Sequence, residues 1–285
     1  MNFKSRLCAM NCHYRFYELE EFFRHAHING IKYVELWTGP MHFFVDYNQH
    51  DDVEILKLLS EKYKIKIIGL CPEQTNPKPN NIAVKSEIGK QNVYKYYKQI
   101  IDIADKIGCK QVLVTSGWAY YNEPIEDAWN RSVSMMKRIA EYSKKKDIML
   151  VLEALQIDES LLVNSVNDIK RYREDVNSGN LKVCIDFGAM SRAQNTIEEY
   201  FETFGDDVRH IHFVDGKPTG HLAWSDGDRD LEKDLNDLQR YNYNGFLSLE
   251  TATQRYYEKP WIAEEKTIST FEKLEGEKDE TLYIS

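Results

Sequence analysis

Eight short apolar segments, each followed by a turn and an amphipathic stretch, constrain the fold of this chain more than any other feature of its sequence. They are rich in Val, Ile and Leu, and their length is typical of strands that are buried on both faces. The segments span residues 6–10, 32–37, 65–70, 111–115, 148–153, 181–186, 209–214 and 246–250. We therefore expect eight parallel strands.

Amphipathic stretches with helical periodicity alternate with these segments. They span residues 17–29, 52–63, 86–107, 125–146, 166–176, 196–204, 231–241 and 260–274. Eight strands alternating with eight helices predict a (β/α)8 TIM barrel, which is an α/β fold. A doubly wound open sheet is the alternative, but it normally has fewer strands, and no Gly-rich nucleotide loop follows the first segment. Nothing divides the chain, so we expect residues 1–285 to form one domain, with a loose charged tail from about residue 275 to residue 285.

The composition limits the partners and the environment of the chain. Its formal net charge of −9 argues against nucleic acid as a partner, because phosphate binding requires a basic surface. No stretch approaches the roughly 18 consecutive apolar residues that would cross a membrane. The five cysteines are odd in number and scattered, which is typical of reduced thiols. These features predict a cytoplasmic protein that binds neither membranes nor nucleic acid.

Ionisable residues end the last four predicted strands. Glu153, Asp186 and Glu250 end the fifth, sixth and eighth strands, and His212 lies near the end of the seventh. Because the active site of a TIM barrel lies at the carboxyl ends of its strands, these side chains should meet at one rim. A carboxylate at the end of an apolar strand is costly to bury unless it is paired or binds a metal. Any one of them could simply pair with Lys or Arg, but together they predict a site for one divalent cation.

The donor set indicates which cation this site would hold. Three carboxylates and one imidazole suit Mn²⁺, with Mg²⁺, Co²⁺, Zn²⁺ or Ni²⁺ as alternatives. His210 points the same way as His212 by strand alternation, and we expect it below His212, as packing or as a supporting donor. Glu35, near the end of the second strand, is expected to support the ligands without binding the metal.

Segments around these residues carry a resemblance to a known family. They read LVLEAL at 150–155, CIDFG at 184–188, HIHFVDG at 210–216 and SLET at 248–251, with HYR at 13–15 and VELW at 34–37. They resemble the xylose-isomerase-like barrel superfamily, within it the ketose 3-epimerase group, and most of all the fructoselysine 3-epimerases. The resemblance extends from about residue 12 to about residue 274. It implies that Glu153, Asp186, His212 and Glu250 bind the metal, and it suggests a homo-oligomer.

Two positions depart from the pattern of the D-tagatose and D-psicose 3-epimerases. Those enzymes carry a His three residues after the sixth-strand Asp, where this chain has Ala189. They also carry an Arg in the loop after the seventh strand, where this chain has Pro218 beside Lys217. Both differences weaken the expectation of activity on free ketohexoses. The fructoselysine 3-epimerases resemble this chain in having Ala at the first position.

The implied reaction is epimerisation at C3 of a ketose or a fructoselysine-type ketosamine through an enediolate. It requires an acid/base group on each side of the substrate. We expect Glu153 and Glu250 to form this pair while also binding the metal. Further contacts to a small sugar substrate are expected, on weaker grounds, from rim residues, which are Glu73, Trp37, Trp118, His221 and Arg229.

Three other functions are compatible with the sequence to different degrees. An aldose–ketose isomerase of the same superfamily would use the same ligands with a shifted proton transfer. An endonuclease IV-like DNA repair enzyme would need three zinc ions and additional His ligands, whereas Ala189 stands at one required position and the charge is acidic. A sugar-binding protein without catalysis is disfavoured by the complete ligand set.

Overall fold

Eight parallel strands close into a barrel in chain order, with the last strand paired to the first. The computed structural model describes residues 2–74 and 79–284, with side chains up to residue 276. The strands are β1 (Leu7–Met10), β2 (Tyr33–Trp37), β3 (Lys66–Cys71), β4 (Gln111–Val114), β5 (Met149–Glu153), β6 (Leu181–Asp186), β7 (Val208–His212) and β8 (Leu247–Leu249). Each strand overlaps its predicted segment, so the prediction of a TIM barrel is confirmed.

Helices surround the barrel. They are α1 (Leu19–Ile28), α2 (Val53–Tyr63), α3 (Glu87–Ile107), α4 (Ile125–Lys145), α5 (Val166–Val176), α6 (Phe187–Arg192), α7 (Ile197–Phe204), α8 (Leu231–Arg240) and α9 (Trp261–Ile284). Their apolar faces pack on the outward-facing strand residues in one continuous hydrophobic core. No helix in the described part of the chain is both long enough and apolar enough to cross a membrane.

Local sequence signals set several helix ends. At the start of α5, the Ser165 hydroxyl accepts a hydrogen bond from the backbone of Asp168, whose carboxylate accepts one from the backbone of Ser165. This reciprocal pair satisfies backbone donors that the first helical turn leaves free. At the C-terminal end of α3, Gly108 has a φ of 75°, a left-handed conformation that favours glycine. These signals explain why the sequence locates the helices well.

Two helical stretches differ from the sequence prediction. Helix α6 begins directly after β6 and is not predicted, because six residues are too few to display helical periodicity. Its first turn is capped by Asp186, whose Oδ1 accepts a hydrogen bond of 2.5 Å from the backbone N–H of Ala189. Helix α9 continues over residues 275–284, where a loose tail is expected, and the Glu and Lys residues there are good helix formers. The side chains beyond residue 276 lie outside the described part of the structure.

Alternate strand residues point into the barrel and form its filling. Near the carboxyl ends this filling is a small apolar layer of Met10, Cys12, Cys71, Leu113, Val151 and Cys184. All five cysteines are buried and unpaired. This layer lies below the rim and includes residues of β5 and β6. At the rim itself, β5, β6 and β7 end in, and β8 is directly followed by, an ionisable residue.

Candidate metal centre

The four residues predicted as metal ligands come from four consecutive strands. Glu153, Asp186 and His212 are the last residues of β5, β6 and β7. Glu250 directly follows β8. In each strand the ligand stands two residues after another inward-facing residue, so strand alternation directs all four side chains into the barrel mouth. The parallel register places Asp186 opposite His212 on the neighbouring strand.

The ligand atoms of these residues converge on the His212 imidazole. Its Nδ1 lies 2.6 Å from Glu153 Oε1 and 2.9 Å from Glu250 Oε2. Asp186 Oδ2 is 3.9 Å from the same nitrogen. One ligand atom from each of the four residues lies within 4.8 Å of the others. This is a compact group of three carboxylates and one imidazole.

Unsatisfied polar atoms in the cluster test whether a cation fits it. Asp186 Oδ2 and both ring nitrogens of His212 are buried, and among the described residues none of them makes a hydrogen bond of good geometry, although Glu153 Oε1 lies 2.6 Å from His212 Nδ1. Buried polar groups are normally satisfied, and a group left without a partner is costly. A cation among these donors would accept their lone pairs and balance the carboxylate charge. The cluster therefore fits a divalent metal ion, and the donor chemistry is that of an oxygen-rich site.

Burial and the charges of neighbouring side chains shift the pKa values of all four residues in the cluster. Burial raises the pKa of Glu153 to about 8, with His212 acting in the opposite direction. Burial also raises the pKa of Asp186. The pKa of Glu250 is lowered, because His212 and His221 outweigh the effect of burial. The pKa of His212 is raised well above its usual value, since the surrounding carboxylates outweigh the burial of the ring.

A second layer of ionisable residues lies beneath His212. His210 Nε2 is hydrogen-bonded to Glu35 Oε2 at 2.6 Å, and the same oxygen lies 3.3 Å from His212 Nε2. All three side chains are fully buried. The register between β2 and β3 shifts between Val34 and Glu35, where β3 has one extra residue, Ile68. Glu35 and His210 thus occupy the supporting position that the sequence predicts for them.

A cavity of about 520 Å³ opens beside the cluster. Three of the four predicted ligands line it, together with loop residues that follow β5, β7 and β8. Glu159, in the loop after β5, is among these loop residues and is not singled out by the sequence. No strand pattern marks it, and only its place in a loop at the carboxyl end of a strand could have drawn attention to it. The volume is in the range of small-molecule sites.

Comparison with known proteins identifies the family. The family model described as xylose isomerase-like TIM barrel matches residues 23–271. The chain belongs to this family. It is 27% identical over 265 residues to the fructoselysine 3-epimerase of Shigella flexneri, over 92% of this chain and 95% of that protein.

Several solved structures are similar to this chain over almost its whole length. L-ribulose 3-epimerase has a TM-score of 0.78 at 16% identity, over 99% of this chain and 98% of its own. The IOLI protein, whose crystal structure contains a bound zinc atom, has a TM-score of 0.74 at 16% identity, over 93% and 96% of the two chains. The curated relatives with an assigned activity are sugar 3-epimerases, so the chain is classed with enzymes of the isomerase type.

In this xylose isomerase-like barrel, His221 is the one rim residue predicted on weaker grounds that lies beside the metal cluster. Its Nδ1 is 3.3 Å from Glu250 Oε2, and its Nε2 is 3.7 Å from Asp186 Oδ1. Ala189, which replaces the His of the psicose-type enzymes, lines the same cavity. Gly188 leaves room for the imidazole, since an added Cβ would lie only 3.0 Å from its Cδ2. A histidine therefore does approach the cluster, from the loop after β7 rather than from α6.

None of the other rim residues lines the 520 Å³ cavity. Trp37 packs against the apolar layer of the barrel, and the guanidinium of Arg15 lies 5.4 Å from its ring centroid. Glu73 follows β3 and does not line the 520 Å³ cavity. The Arg229 guanidinium is hydrogen-bonded to Asp234 at 2.9 Å and to Ser191 at 2.7 Å, so its donors are engaged within the protein.

Trp118 lies in a different cavity from the metal cluster. It is the first residue of a group of aromatic side chains in the loop after β4. The cavity that Trp118 lines and the cavity beside the metal cluster share one lining residue, Glu159. Substrate contacts by Trp118, Trp37, Glu73 and Arg229 stay predictions.

Proposed function

We propose that this protein is a metal-dependent epimerase that inverts C3 of a ketose or of a fructoselysine-type ketosamine. The observation that carries the proposal is the convergence of Glu153, Asp186, His212 and Glu250 within 4.8 Å at the mouth of the barrel. The cavity of about 520 Å³ adjoins this cluster and gives a sugar access to it. The activities of the relatives support the same reaction class.

The four residues would hold one divalent ion. Each of the ligand clusters found among residues 2–74 and 79–284 includes His212, which favours a single ion rather than the three of a repair endonuclease. We propose Mn²⁺, with Mg²⁺, Co²⁺, Zn²⁺ or Ni²⁺ as alternatives for this donor set. When bound, the ion would act as a Lewis acid that polarises the substrate carbonyl. A cytoplasmic location and a homo-oligomeric state stay predictions.

Glu153 and Glu250 are the proposed acid/base pair. Inversion at C3 requires that a proton leave one face of the carbon and that another arrive on the opposite face. The two carboxylates come from β5 and β8, which are not neighbours in the barrel, and both line the cavity. A sugar bound between them would present one face of C3 to each. One carboxylate then removes the C3 proton, and the other carboxyl group delivers a proton to the enediolate.

The substrate is proposed to be a ketosamine rather than a free ketohexose. The chain has Ala189 and Pro218 where the psicose-type enzymes carry a His and an Arg. The methyl group of Ala189 cannot form the hydrogen bond to a sugar hydroxyl that a His at this position could form. His221, beside Glu250 and Asp186, is the proposed donor to a substrate oxygen in its place.

Proton exchange at C3 tests the proposal directly. The Mn²⁺-loaded protein is incubated in D2O with fructoselysine, psicose or tagatose, and the C3 proton is followed by NMR. We expect exchange and formation of the C3 epimer with fructoselysine, and loss of both when a chelator is added. Exchange with free ketoses alone would move the proposal to another substrate. Formation of an aldose without C3 exchange would contradict it and indicate an aldose–ketose isomerase.

Single substitutions test the acid/base pair. Glu153→Gln and Glu250→Gln should each reduce turnover by at least about 1,000-fold, because each removes a group that transfers a proton and also binds the metal. Asp207→Asn is the control, since Asp207 is a carboxylate paired with Lys182 and Arg173 just before β7, at the end of the barrel opposite the cavity. Circular dichroism should show that all three variants remain folded. Substantial epimerisation by either catalytic variant would rule out this pair.

A further inference from the structure

A second cavity, with aromatic walls, adjoins the candidate active site. It has a volume of about 350 Å³ and lies between the loop after β4 and the loop after β5. Its walls are Trp118, Ala119, Tyr120, Tyr121 and residues 157–161. We call it the aromatic cavity. The mechanism proposed above does not use it.

The walls of the aromatic cavity leave large apolar groups in water. Tyr121 is 87% exposed, Tyr120 is 49% exposed and Ile157 is 45% exposed. An exposed apolar patch of this kind typically marks a binding site. Aromatic side chains also lose little conformational entropy when they bind a ligand. The patch is therefore suited to an apolar or aromatic ligand group.

The aromatic wall is held in place by the protein. The Trp118 and Tyr120 rings pack edge to face, with 4.8 Å between their centroids. Asn81 fixes the backbone of Trp118, donating to its carbonyl and accepting from its N–H, both at 2.9 Å. The buried indole N–H of Trp118 has no acceptor among the described residues. These contacts hold the aromatic wall in place before a ligand binds.

Glu159 is the one lining residue that the aromatic cavity shares with the cavity beside the metal cluster. It lines both, and its Oε2 accepts a hydrogen bond of 3.0 Å from the backbone N–H of Gln156. Asp158 adds a second carboxylate to the aromatic cavity. A molecule that occupies both cavities would therefore lie against the Glu159 carboxylate. Such a molecule is favoured if it carries a positive charge there.

We infer that the aromatic cavity binds the amine substituent of a ketosamine, and that this substituent is apolar or aromatic. The inference rests on the proposed function and specifies its substrate. The sugar occupies the cavity beside the metal cluster, the protonated secondary amine lies at Glu159, and the substituent packs on Tyr120 and Tyr121. A ketosamine has these three parts in this order. A free ketose would leave the aromatic cavity without a ligand.

A substrate series tests this inference. The Mn²⁺-loaded wild-type protein is assayed for C3 epimerisation of D-fructose and of the fructose ketosamines of glycine and phenylalanine. We expect kcat/KM for the phenylalanine compound to exceed that for the glycine compound by about 10-fold, as burial of one aromatic group would give. Tyr121→Ala should lower kcat/KM for the phenylalanine compound by about 3- to 10-fold, through KM, and leave the other two unchanged.

Tyr47→Ala is the matched control, because Tyr47 is an exposed tyrosine, at 40%, that lines neither cavity. It should leave all three substrates unaffected. Equal kcat/KM for the glycine and phenylalanine compounds would overturn the inference, as would an equal effect of Tyr121→Ala on every substrate. Dissociation of an oligomer by Tyr121→Ala, seen by light scattering, would also overturn it and assign the aromatic cavity to an interface between copies. Failure to epimerise fructoselysine as well as these three would instead reject the proposed function, whereas turnover of fructoselysine alone would overturn the inference.

Discussion

Replacing Glu35 by Gln should weaken metal binding without altering any of the four proposed ligands. Glu35 Oε2 lies 2.6 Å from His210 Nε2 and 3.3 Å from His212 Nε2, and all three side chains are fully buried. A carboxylate behind a metal-binding imidazole fixes the ring and makes it a better donor. Gln keeps the shape of the side chain and removes its charge. The structure thus separates a supporting role from a direct one.

The size of the effect follows from the place of Glu35 behind a single ligand. We expect the dissociation constant for Mn²⁺ to rise about 10- to 100-fold, the usual consequence of losing such a carboxylate. This corresponds to about 1.4–2.7 kcal/mol of binding free energy. At a fixed excess of metal, the gain in unfolding free energy on adding Mn²⁺ should shrink by the same amount. Titration calorimetry and chemical unfolding, each with Mn²⁺, measure the two quantities independently of catalysis.

Glu264→Gln is the matched control for Glu35→Gln. Glu264 forms another buried Glu–His pair, with its Oε1 3.1 Å from His13 Nε2, and it is not part of the metal cluster. Its replacement should lower the free energy of unfolding but leave the affinity for Mn²⁺ unchanged. Wild-type affinity in the Glu35→Gln variant would refute the reasoning. An equal loss of affinity in both variants would attribute the effect to general destabilisation.

Two further predictions concern stability. Lys182 and Arg173 hold the pKa of Asp207 below its usual value against the opposing effect of burial. The ionised carboxylate therefore stabilises the fold above about pH 4, and this stabilisation is lost as the pH falls through the lowered pKa. Asp207→Asn should therefore cost about 0.5–1 kcal/mol in urea unfolding at pH 7 and progressively less as the pH falls below about 4, and an equal cost at every pH would contradict this. Ser165→Ala removes the cap of α5 and should cost about 1 kcal/mol in the same assay, whereas Ser178→Ala, outside the helix, should cost less.

The sequence predicts the barrel because local and global signals agree. Strands buried on both faces must be apolar throughout, so runs such as 148–153 stand out from the amphipathic helices around them. Helix α6 escapes prediction because its six residues contain less than two turns, and because its N-cap, Asp186, serves as a strand end at the same time. The expected tail at 275–285 lacks an apolar stripe, but its Glu and Lys residues have high helix propensity, and α9 continues through residue 284.

By itself, the sequence determined the fold and the identity of the four clustered residues, since the end of each strand is a position that periodicity reveals and barrel closure brings strand ends together. Only the tertiary structure decided which other residues, from loops and from strands across the barrel, contact them or line the cavity beside them. His221 reaches Glu250, Glu35 reaches His210 across the barrel, and Glu159 links the two cavities. The path of a loop depends on packing between residues far apart in the chain, and no periodic pattern encodes it.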